Sequence, residues 1–114
     1  MNVIFLLSDS PTHGSQYHNE GEGVGDNLKD KIEKGTLEKI VKKYESINNL
    51  DVYCIYITNK TNKMYNVIKE NLKRCYITDK IDHKMLFMTI KNSLLLSSKR
   101  NHGINIGKIV KDEE

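Results

Sequence analysis

Val3-Ile4-Phe5-Leu6-Leu7-Ser8-Asp9-Ser10-Pro11 is the stretch on which the fold turns. Five apolar residues follow one another without polar alternation and then stop in a short polar segment ending in proline. A strand covered on both faces reads this way, and parallel sheets produce such strands. The pattern predicts a first strand over residues 3–7, buried on both sides and ending in a loop at Ser8.

Working outward, residues 51–58 (DVYCIYIT) are rich in β-branched and aromatic side chains and follow a turn at Asn48-Asn49, which predicts a second strand. A short third strand is predicted over residues 75–78. Between the first two strands, Leu37, Ile40, Val41, Tyr44 and Ile47 recur at intervals of three and four. They predict a helix with that stripe toward a core and Glu38, Lys39, Lys42, Lys43 and Glu45 toward water. Residues 27–34 read as an earlier helical turn or two, broken near Gly35. A further helix, capped by Thr61 or Asn62, carries Met64, Val67, Ile68 and Leu72 inward. A last one, capped by Asp79 or Asp82, offers Met85, Leu86, Met88, Thr89, Ile90 and Leu94 as a broad apolar face through about Leu96. Strand-helix alternation of this kind builds βαβ units, so the expected fold class is α/β, a parallel sheet with helices on its faces. Residues 1–98 form the expected domain. Residues 99–114 form a polar tail, in which Ile104, Ile106, Ile109 and Val110 could add a short strand.

The 114 residues suffice for one core, with roughly 65% of the unfolded surface buried on folding. The net charge of +3 is spread over lysines that mostly alternate with acids, and only residues 69–74 and 99–100 are locally basic. No nucleic-acid partner is expected, because that footprint needs basic residues gathered on one face. The apolar runs fall short of the ~20 residues of a spanning helix, and the opening lacks the basic region and cleavage site of a secretory leader, so no membrane partner is expected. Cys54 and Cys75 lie in apolar strand-like runs without metal-ligand spacing, which suits a reducing, cytoplasmic location.

Residues 12–26 hold four of the seven glycines, His13, His18, Glu20 and Glu22, with no periodicity. A loop of this length is a candidate for function or mobility, and residues 14–26 are expected to be the most mobile internal segment. His13 and His18, with the two glutamates behind them, have the chemistry of transition-metal ligands, although no third histidine or cysteine stands at a characteristic spacing. Exposed or hydrogen-bonded loop histidines are the simpler account. Ser8, Ser10 or Ser15 could be paired with His13 or His18 and Asp9 as a nucleophile and base, but the G-x-S-x-G elbow is missing. The glycines at 21, 23 and 25 lack the dinucleotide spacing.

The string VIFLLSDSPTHGSQYHNEGEGVGDNL resembles the fourth strand and following loop of von Willebrand factor A domains, most closely the branch associated with α-kinases, where a strand ending in Asp is followed by Pro, His-Gly and Tyr-His. DVYCIYITNKTNKM is similar to that family's next strand and helix start, and the likeness covers residues 2–73. It implies a three-layer, Rossmann-like sheet, here apparently truncated, with a metal-ion-dependent adhesion site for Mg²⁺ or Mn²⁺. Asp9 matches the family's last metal-site carboxylate, and Ser8 and Ser10 stand beside it. The main Asp-x-Ser-x-Ser motif would have to precede residue 1, so the implied site is incomplete and its cation binding weak. His13, Tyr17 and His18 fall in the implied binding loop. The expected function is a non-catalytic protein-interaction module, with a small metal-dependent hydrolase centred on Asp9, His13 and His18 as the alternative. The expected partner is another protein, or a second copy joined through the edge of the first strand, where residues 3–7 carry no proline or lysine to discourage pairing.

Overall fold

Three parallel strands form one sheet in the computed structural model, which describes residues 1–12, 14–19 and 33–101. In chain order they are β1 (Asn2–Leu7), β2 (Leu50–Ile55) and β3 (Cys75–Ile77), lying side by side in that same order. Asn2 stands opposite Leu50 and Leu7 opposite Ile55, while Val52 stands opposite Cys75. The helices are α1 (Thr36–Lys42), α2 (Asn62–Asn71) and α3 (Leu86–Asn101). The expected α/β order is present, with a parallel sheet and intervening helices.

The strand buried on both faces is β2, not β1. Every residue of β2 is buried, with β1 on one side and β3 on the other. No residue of β1 is fully buried, and Ile4 and Leu7 are 38% and 49% exposed. An apolar run records that a strand meets apolar neighbours, but it does not record whether a further strand lies beside it. Residues 3–7 are apolar because helices lie over β1, while its outer edge is unpaired among the described residues.

Successive strand residues point to opposite faces, so β2 divides the interior into two cores. Leu50, Val52 and Cys54 pack with Tyr17, Val41, Met64, Tyr65, Ile68 and Cys75 on the side of α1 and α2. Tyr53 and Ile55 pack with Ile81, Val3, Phe5, Tyr76, Met85 and Leu86 on the side of α3. The helices therefore lie on both faces of the sheet. Each fully buried large side chain of β2 stabilises the fold by roughly 1.5–3 kcal/mol. Phe5, Tyr53 and Tyr76 form a stacked row across the three strands, with centroids 5.4 Å apart at each step.

Two helices depart from the sequence pattern. The stripe of α1 buries Val41 and half-buries Leu37, but Ile40, Tyr44 and Ile47 are 48%, 41% and 40% exposed. The helix tightens into a 3₁₀ turn at Lys43–Ser46, which ends the 3.6-residue period after Val41. In α3 the side turned to the sheet is small and polar, with Thr89, Asn92, Ser93 and Ser97 buried beside Leu96. Leu94, expected inside, is 38% exposed, and Phe87 and Leu95 are 76% and 51% exposed. Asp82 does cap this region, its carboxylate accepting from the Lys84 and Met85 N–H groups at 2.9 and 3.1 Å. The helix runs on through Asn101, past the end expected at about Leu96. Of the helical turns expected at residues 27–34, residues 27–32 lie outside the described residues and 33–34 are not helical; the strand expected within residues 104–110 also lies outside the described residues.

Candidate functional site

The C-terminal end of β1 carries the residues singled out in the sequence. Asp9 is exposed there, immediately beyond the sheet. Ser8 folds back on its own loop: its hydroxyl donates to the Ser10 carbonyl at 2.5 Å and accepts from the Ser10 N–H at 3.2 Å. Asp9 and Ser10 thus sit in a closed local turn. Among the described residues no three His, Cys, Asp or Glu side chains gather as a metal site. His13 lies outside the described residues.

Tyr17 is a structural anchor. It is 1% exposed, its hydroxyl donates to Glu38 Oε1 at 2.6 Å, and it accepts from the Leu37 N–H at 2.8 Å. It thereby satisfies a backbone donor in the first turn of α1, where Gly35 at the N-cap supplies no side chain. Burial, reinforced by the bond to Glu38, pushes the phenol above its ordinary range. The next anchor is Asn19, which donates to the Asn59 carbonyl at 2.6 Å and accepts from the Lys63 N–H at 3.4 Å, so that it reaches the first turn of α2 from outside the helix. Thr61, whose own side chain makes no cap bond, leaves that role to it. Tyr17 and Asn19 thus tie the described part of this loop to two helices; residues 20–26 of the segment expected to be mobile lie outside the described residues. His18 is half-buried beside these anchors.

The densest polar cluster lies at the opposite, N-terminal end of the sheet, where no motif directs attention. Asp51 on β2 is fully buried and accepts from Arg74 Nε at 2.6 Å, Ser97 Oγ at 2.5 Å and Arg100 at 3.2 Å. The Tyr53 hydroxyl meets Ser97 and Arg100 and donates to the Ser93 carbonyl at 3.0 Å. The Arg100 guanidinium also lies 4.4 Å from the centre of the Tyr76 ring. A buried carboxylate requires such partners. Its bond to Asp51 raises the Arg74 pKa further, keeping that guanidinium charged. The cluster fastens the last turns of α3 to β2 and explains the polar inner side of that helix. The sequence signal was an acid opening a strand-like run together with Ser93, Ser97 and Arg100 at helical intervals of four and three.

On the other face, Cys54 and Cys75 are buried free thiols with sulfurs 3.8 Å apart. Their mutual hydrogen bond and burial push the Cys54 thiol up and keep it protonated.

The remaining notable surface is the outer side of α3. Phe87, Leu94 and Leu95 stand there as exposed apolar side chains, with exposed Lys91 between them. The helix itself carries no acidic residue, and its Lys91 and Lys99 are exposed. Among the described residues no helix is long and apolar enough to cross a membrane. Comparison with protein-family models, with curated proteins and with solved structures finds no match.

Proposed function

We propose that the chain is a non-catalytic protein-interaction module that docks through the outer side of α3. The observation that carries this reading is the orientation of that helix, which buries Thr89, Ser93 and Ser97 and leaves Phe87, Leu94 and Leu95 in solvent. Exposed apolar groups gathered on one rigid face are a feature of interaction sites. Lys91 and Lys99 border the face, so the partner it fits is a polypeptide whose apolar side is flanked by carboxylates. The von Willebrand A-type reading belongs to the same proposal, with Asp9, Ser8 and Ser10 as an incomplete metal-ion-dependent adhesion site of weak Mg²⁺ or Mn²⁺ affinity. Parallel strand order and the exposed place of Asp9 beyond β1 support it. A cytoplasmic setting is proposed from the two buried free thiols.

Photo-crosslinking tests the docking face. A benzophenone side chain at position 87 should give one discrete protein adduct that disappears with Leu94→Glu and weakens with Lys91→Glu. The same group at the exposed position of Lys63 on α2 should give none. Equal labelling from both positions, or an adduct indifferent to Leu94→Glu, would contradict the reading.

A further inference from the structure

We infer that the cleft between the 3₁₀ turn after α1 and the end of α2 is a binding site for a small organic anion, a monocarboxylate carrying one ring or a short branched chain.

The cleft follows from how the two helices end. The chain tightens after α1 at Lys43–Ser46 and then turns at Asn49, whose φ of 54° lies in the left-handed region, to enter β2 at Leu50. The helix α2 ends at Asn71, and Leu72 continues in extended backbone toward β3. Between these two segments lies an open cleft of about 390 Å³, at the small end of the ~300–1,000 Å³ of ligand sites. Buried Leu50 and Val52 and half-buried Leu72 form its base, with exposed Tyr44 and Ile47 beside them. The apolar groups that periodicity assigns to the core, and that the 3₁₀ turn leaves out of it, are therefore gathered at this cleft. Glu45 Oε1 accepts from the Lys73 N–H at 2.7 Å, a bond that joins the two walls before any ligand arrives.

The charge of the lining selects the ligand. Arg74 and Arg100 share the single carboxylate of Asp51, so one positive charge among the three groups is uncompensated. It lies toward Arg74, which lines the cleft and whose side chain is 32% exposed against 18% for Arg100. Asp51 takes the Arg74 Nε at 2.6 Å, while Nη1 makes only a 3.5 Å contact to Asn49 Oδ1. An incoming carboxylate can replace that contact with a shorter, charge-assisted one. Exposed Lys73 adds a second cation, and Glu45, the acid among the described lining residues, already accepts a backbone N–H. An apolar base bordered by two cations fits an anion with an apolar body, and a neutral ring or a bare inorganic ion satisfies half of it. The base residues belong to the α1 and α2 side of the sheet, so this site is independent of the docking face on α3.

Titration of the isotope-labelled full chain with benzoate, followed by amide chemical shifts, tests the assignment. Benzoate should move the amides of residues 44–50 and 72–74 and saturate with a Kd no weaker than about 10 mM. Benzamide, the same ring without the charge, should bind at least about fivefold more weakly, and inorganic phosphate should not saturate these shifts where benzoate does. Tyr44→Ala and Lys73→Gln, both at exposed side chains, should each weaken benzoate binding by at least about threefold while the spectrum stays that of the folded chain. If a variant fails to fold, the comparison of benzoate with benzamide in the unaltered protein decides. Binding of benzamide or phosphate equal to that of benzoate would overturn the proposal. So would shifts centred away from the cleft, the absence of saturable shifts, or folded variants that bind benzoate as tightly as the unaltered chain.

Discussion

Asp51 shows how one side chain can fix the orientation of an element. Its carboxylate is fully buried and is held by Arg74, Ser97 and Arg100, so removing it leaves two guanidinium groups facing a hole in the sheet-helix interface. Asp51→Ala should lower unfolding stability by about 3 kcal/mol, measured by urea denaturation, because a partner lost from a buried ion pair costs more than the pair contributes. Tyr17→Phe should cost about 1 kcal/mol by the same measurement, through its bonds to Leu37 and Glu38. Alkaline pH probes the tyrosines together. Burial holds Tyr17, Tyr53 and Tyr65 above the ordinary value of 10.0, so the folded state keeps protons that the unfolded state releases. Their contribution is fully present below pH 10.0 and is lost as pH rises through the raised folded values. Tyrosinate absorbance should accordingly show part of the titration delayed and coincident with unfolding. At Asp9, one exposed carboxylate and its neighbouring serines offer too few oxygens for a hard cation, so Mg²⁺ should bind no tighter than roughly millimolar. Micromolar affinity in calorimetry, lost in Asp9→Ala, would contradict this.

At the scale of elements, local pattern and neighbour choice separate cleanly. The strand over DVYCIYIT, the α2 stripe of Met64 and Ile68, and the Asp82 cap were legible because each depends on residues close in sequence. Two features were legible only in part. The partial exposure of β1 was hidden because an apolar run has the same composition whether its faces are fully or partly covered, whereas its open edge lies where the expected order of three strands puts it. The facing of α3 was legible at its start, where Met85, Leu86 and Thr89 turn inward as expected, but not further on, where Leu94 is exposed because Ser97 turns inward to Asp51, more than forty residues away along the chain. Of the candidate site, Asp9 was read correctly as standing at the end of a strand, but Tyr17 became a core anchor through a partner, Leu37, that periodicity does not reveal. Asn19 was likewise missed, since its cap crosses from a loop to α2. Asn19→Ala should destabilise the chain by about 1 kcal/mol and speed amide exchange in the first turn of α2, leaving α3 unchanged.

For the whole molecule, one buried strand separates two cores, and the polar cluster at one end of the sheet determines which side of α3 faces water. The proposed docking surface follows from that arrangement rather than from a catalytic group. Thiol labelling of single-cysteine substitutions tests it most directly, because native Cys54 and Cys75 are buried and provide an internal silent background. In the folded chain Phe87→Cys and Leu95→Cys should react as fast as an exposed thiol, and Ser93→Cys should react only on unfolding. Slow labelling at positions 87 and 95 together with rapid labelling at position 93 would mean that α3 turns its apolar side inward, and would contradict the account.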